Sequence, residues 1–116
     1  MALTREFRQT VQARVRRDPE FARALLGEAV QAMLAGDLQV GKALARDYIN
    51  ASLGFEELGR RLDASPKSLM RMFGVSGNPH ASNLFAVLEV LQDDAGVTLC
   101  VVPAGRKRRA VVASNA

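Results

Sequence analysis

Two short amphipathic segments, 55–62 and 66–73, lie only three residues apart, and this spacing constrains the chain more than any other feature. Helices of about eight residues are marginal in water. Each must be held by the other and by a core that the rest of the chain supplies. Phe55, Leu58, Gly59 and Leu62 fall on one face of the first segment, and Leu69, Met72 and Phe73 on one face of the second. Ser65-Pro66 is a capping side chain followed by proline at the first helical position, a helix start. Gly59 has no side chain where the two segments would cross. Asp63 occupies a turn position that calls for left-handed backbone, which aspartate tolerates better than most residues. The pattern predicts a helix-turn-helix.

The flanking sequence reads as further helices. With 116 residues, 48% of them hydrophobic, the chain can build one ordinary core. Aromatic residues are five Phe and one Tyr, so that core is mostly Leu, Val, Ala and Met. Leu3, Phe7, Val11 and Val15 recur every four residues in a first helix. Asp18-Pro19 starts a second, carrying Phe21, Ala22, Leu25, Leu26, Ala29, Val30, Met33 and Leu34 at helical spacing, and Gly36 stops it. Asp37 caps a third, with Val40, Ala43, Leu44 and Ile49 on its inner side, ended by Gly54. Residues 74–79 form a turn-rich loop. A sixth helix over 81–94 carries Leu84, Phe85, Leu88 and Leu91 at helical spacing, and Gly96 ends it. Residues 97–102 are apolar and β-branched and read as one short strand, with Cys100 buried in it. A lone strand needs a partner for its backbone groups, either a second copy or another protein. The expected fold is all-α: five to six helices around a central helix-turn-helix, with one short C-terminal strand. Three regions are expected: a basic N-terminal helix at 1–17, the helical domain at 18–102, and a basic disordered tail at 103–116.

Charge bounds the possible partners. The net charge is +4, which Arg106, Lys107, Arg108 and Arg109 supply by themselves, so net charge alone says little about nucleic acid. Its distribution says more. Arg5, Arg8, Arg14, Arg16 and Arg17 make the first helix locally basic. Residues 74–105 carry Glu89, Asp93 and Asp94 and no Lys or Arg. With one cysteine no intrachain disulfide can form, and His80 has no metal partner nearby, so neither a metal nor another cofactor is expected. No apolar run approaches a membrane span, and residues 1–10 lack the apolar core of a signal peptide. A soluble, cytoplasmic protein is expected.

The second short helix has a divided surface. Lys67 and Arg71 are four apart and share the face opposite Leu69, Met72 and Phe73, with Ser68 and Met70 beside them. Such a narrow, polar, lightly basic face suits a DNA major groove. Arg71 could bond a guanine edge bidentately, Lys67 a guanine edge or a phosphate, and the N–H groups near Ser65 a phosphate. The same spacing also fits two ordinary surface helices of a bundle, and the residues alone leave both readings open.

Beyond spacing, residues 65–73 (Ser-Pro-Lys-Ser-Leu-Met-Arg-Met-Phe), then Gly77-Asn78-Pro79, then 83–91 (Asn-Leu-Phe-Ala-Val-Leu-Glu-Val-Leu) resemble the Xre/Cro-like helix-turn-helix proteins. More narrowly, they resemble the addiction-module antidote proteins, antitoxins of the HigA kind. The similarity covers about residues 18–102. It implies a lambda-repressor-like fold and a dimer that represses its own operon by binding double-stranded operator DNA. It also implies a small RelE/ParE-like toxin as a partner. Carried over by position, Lys67, Ser68 and Arg71 fall on groove-facing sites, Ser65 on the helix cap, and Asn78 in a loop approaching the DNA backbone; Met70 is counted with them. Asp63 departs from the glycine common in this turn, and Pro66 stands where relatives often carry a longer polar side chain. The basic first seventeen residues and the tail lie outside the family signature.

Other motifs carry less. Residues 36–42 match the opening of a phosphate-binding P-loop, but Ala43 stands where Ser or Thr would hold magnesium, and a helix precedes the motif. His80 with Ser82 and Asp93 or Asp94 has no nucleophile elbow. Glu56 and Glu57 are adjacent and suit the helix dipole better than acid–base chemistry. No enzyme is expected. The competing readings are a solitary regulator of the same fold and a helical interaction module that never touches DNA.

Overall fold

The computed structural model describes residues 5–105. Six helices follow in order: α1 (Arg5–Arg17), α2 (Pro19–Leu34), α3 (Leu38–Ala51), α4 (Gly54–Leu62), α5 (Pro66–Met72) and α6 (Ala81–Ala95). The fold is all-α, and no strand occurs among the described residues. Leu3 and the cluster at 106–109 lie outside them.

Local chemistry sets the helix starts. The Asp18 carboxylate accepts the Phe21 N–H at 3.2 Å, and Pro19 occupies the first turn, where a missing N–H costs nothing. That hydrogen bond is the leading reason the Asp18 carboxyl titrates below its usual range. Asp37 does the same for α3 through the Val40 N–H at 3.3 Å. Ser65 caps α5 by accepting the Ser68 N–H at 3.3 Å.

Helices α2 and α3 make the most extensive pairing. Helix α1 packs on both, and α4 links α3 to α5 and α6. One core runs through all six helices, from Val15 on α1 through Leu26, Ile49, Phe55, Leu58 and Leu69 to Leu91 on α6. The basic first helix is thus integral to the globule.

Four expectations are corrected, the first at the end of α2, where Leu34 is 66% exposed instead of joining the apolar stripe. Residues 97–102 form no strand: the Leu99 N–H donates at 2.8 Å to the Gln92 side-chain oxygen, and Val101 and Val102 are exposed. The pattern there is that of a strand, but the described residues form helices and loops and offer no strand edge to pair with. Cys100 is consequently exposed. On α3, Val40 is 46% exposed, and the inner face is made by Gly41, Lys42, Ala45, Tyr48 and Ile49. On α6, Phe85 is 65% exposed while Val87, Leu88 and Leu91 enter the core.

Candidate nucleic-acid interface

The α4–α5 unit is built around a close backbone crossing. A side chain on Gly59 would put its Cβ 2.5 Å from the Ala64 carbonyl oxygen and 3.5 Å from the Pro66 ring. The turn itself is Asp63, left-handed at φ 54°, the only non-glycine residue with positive φ among those described. Both features were expected from the sequence.

Leu69 and Phe73 bury one side of α5 in the core, with Met72 half-buried beside them. Phe73 meets Phe55 of α4 in a tilted ring pair, centroids 6.3 Å apart. The opposite side presents Lys67, Ser68, Met70 and Arg71 to solvent together. Neither Lys67 nor Arg71 enters an ion pair among the described residues, so both charges are available to a ligand. Asn78 is exposed in the loop after α5.

Helix α4 carries a compact charge network. Glu57 receives Arg60 and Arg61, the latter at 2.8 Å, and Arg61 also reaches Asp94 of α6 at 3.3 Å. Hydrogen bonds from Arg60 and then Arg61 draw the Glu57 carboxyl down from 4.5 to about 2. A carboxylate lowered in the fold stabilises it above the unfolded value, and that contribution disappears as pH falls through about 2. An NMR titration is therefore expected to find Glu57 ionised at pH 3.5; a midpoint near 4.5 would show that the network does not form in solution.

A second set of contacts was not anticipated. Lys42, on α3, is 1% exposed. Its ammonium donates to the carbonyl oxygens of Gly74 at 2.8 Å and Gly77 at 2.6 Å. Arg46 donates to Phe73 O at 3.2 Å and Gln39 to Val75 O at 3.1 Å. Three polar side chains spaced i, i+3 and i+7 along α3 thus hold the carbonyls that end α5 and form the following loop. That polar stripe at helical spacing was the available signal, hidden because Lys42 fell within the P-loop-like motif. Gly77 is pressed onto α5: a Cβ there would collide with Arg71 O and lie 2.6 Å from Met72 O.

Elsewhere, a cavity of ≈ 400 Å³ between α1, α2, α3 and α6 is lined by Arg16, Arg23, Tyr48, Ser52 and Asp94 among others, and shares no residue with α4 or α5. No helix among the described residues is long and apolar enough to cross a membrane.

Comparison with protein-family models, with characterised proteins and with solved structures finds no match for this chain.

Proposed function

We propose that this chain is a sequence-specific DNA-binding transcriptional regulator whose α5 enters the major groove. The carrying observation is the exposed row Lys67, Ser68, Met70 and Arg71 on a short helix whose other side is fixed in the core. In this reading Arg71 takes a base edge, Lys67 a base edge or phosphate, the Ser65-capped end of α5 a phosphate, and Asn78 the neighbouring backbone. A second copy on an adjacent half-site, about 34–36 Å away, would complete an operator complex. With 97–102 unpaired, that dimer rests on operator symmetry and not on a shared strand. The resemblance to HigA-like antitoxins extends the proposal to autorepression and to a RelE/ParE-like toxin as partner.

The test is binding to the promoter fragment of its own gene, measured by mobility shift over a salt series against scrambled DNA. Promoter-selective binding is expected, and Arg71→Ala should weaken it by about 1–3 kcal/mol while relaxing base preference. Equal, weak binding to both DNAs, unchanged in the variant, would reject the proposal in favour of a helical interaction module. Promoter-selective binding with no toxin gene beside it would leave a solitary regulator.

A further inference from the structure

We propose that the loop at 74–78 is a phosphate cradle, with backbone N–H groups facing outward and the buried Lys42 ammonium behind them. The proposal deepens the DNA-binding reading and rests on it for the source of the phosphate, a nucleic-acid phosphodiester.

The argument begins with an uncompensated charge. Lys42 is 1% exposed and forms no ion pair among the described residues. Carbonyl oxygens lower the cost of burying an ammonium, but they leave its charge in place. Those carbonyls also fix the loop's orientation. Gly74 O and Gly77 O point at Lys42, and Val75 O points at Gln39. No peptide bond is cis, and in a planar trans peptide the N–H points opposite to the C=O that precedes it. The N–H groups of Val75, Ser76 and Asn78 therefore point away from α3. None of the three donates a hydrogen bond among the described residues, whereas the Gly77 N–H is used within the loop, on Gly74 O at 3.1 Å. Val75 is 80% exposed, and Ser76 and Asn78 are exposed. Successive outward N–H groups, as at Val75 and Ser76, favour an anion; the Asn78 N–H adds a third donor on the same side, and a fixed cation lies behind them. The Gly77 contact on the Arg71 and Met72 carbonyls keeps this surface in register with α5.

The arrangement also explains a charge pattern. Residues 74–105 contain no Lys or Arg, so the loop's own side chains add no Lys or Arg charge, and its backbone and the Lys42 ammonium of α3 behind it supply the cradle's attraction for phosphate. Because Lys42 is held by the fold, it adds charge without the ordering cost of a long surface side chain.

Two measurements test the cradle. The first is a titration of the full chain with inorganic phosphate, followed by amide NMR. The Val75, Ser76 and Asn78 signals are expected to shift together and saturate with one dissociation constant, and Lys42→Met to abolish the shifts. Unmoved signals in the unmodified protein would overturn the proposal whether or not the variant folds, and so would undiminished shifts in a folded variant. The second is the salt dependence of promoter binding. Loss of one phosphate contact should lower the slope of log K against log salt by about 0.9 in Lys42→Met. Selective DNA binding with an unchanged slope would overturn the cradle and leave the regulator reading intact. Phosphate shifts at the three amides without selective DNA binding would support the cradle and reject the regulator.

Discussion

Replacing Phe73 with alanine is expected to cost about 3–5 kcal/mol of folding stability, the usual loss for a buried aromatic truncated in a core. Phe73 is 1% exposed, stacks at a tilt on Phe55, and stands at the end of α5, where its carbonyl receives Arg46. The ring pair contributes about 0.5–1.5 kcal/mol beyond burial itself. A domain with a typical margin of about 5–15 kcal/mol would lose much of it. Chemical denaturation gives the measurement, and Phe85 gives the control. Being mostly exposed, it should tolerate alanine within about 0.5 kcal/mol. Equal losses at the two positions would mean that α5 is not anchored as described.

The second large effect is expected at Gly77. Alanine there must displace the Arg71 or Met72 carbonyl, both part of the α5 backbone, so no flexible side chain can yield. Overpacking of this kind costs about 1–3 kcal/mol, and the rigid neighbours place Gly77→Ala at the upper end. Moving the loop off α5 would also lengthen the Lys42 contact, so under the proposed DNA-binding function affinity for DNA should fall along with stability. Gly74→Ala is the comparison, because its Cβ would approach Arg71 O only to 3.4 Å. Its cost should stay below about 1 kcal/mol, read in the same denaturation experiment. A Gly77→Ala protein as stable as the parent would show that the loop is not seated against α5.

The difference between what could and could not be read from the sequence follows the range of the interactions. Asp18, Asp37 and Ser65 act on N–H groups three residues away, so their caps were legible, as were Pro19 and Pro66 in first turns. The Gly59 crossing and the left-handed Asp63 were legible because a three-residue turn leaves few alternatives. The grouping of Lys67, Ser68, Met70 and Arg71 followed from helical periodicity alone. What failed depended on distant partners. A β-branched run such as 97–102 becomes a strand only beside another strand, and none of the helices supplies one. The Lys42 contacts span more than thirty residues, and a lysine in a helix reads as solvent-facing unless its acceptors are known. Phe85 was grouped with the core because periodicity fixes a stripe but not its edge, and Val87 occupies that edge instead.

The divided surface of α5 has an evolutionary consequence. The residues that anchor the helix, Leu69, Met72 and Phe73, are separate from those it shows to solvent, Lys67, Ser68, Met70 and Arg71. Substitutions at exposed positions away from caps and networks usually change stability by less than about 0.5 kcal/mol. Under the proposed function, drift at these four positions would rewrite what the helix recognises while the scaffold stays intact. Descendants of such a chain could diverge in target much faster than in architecture.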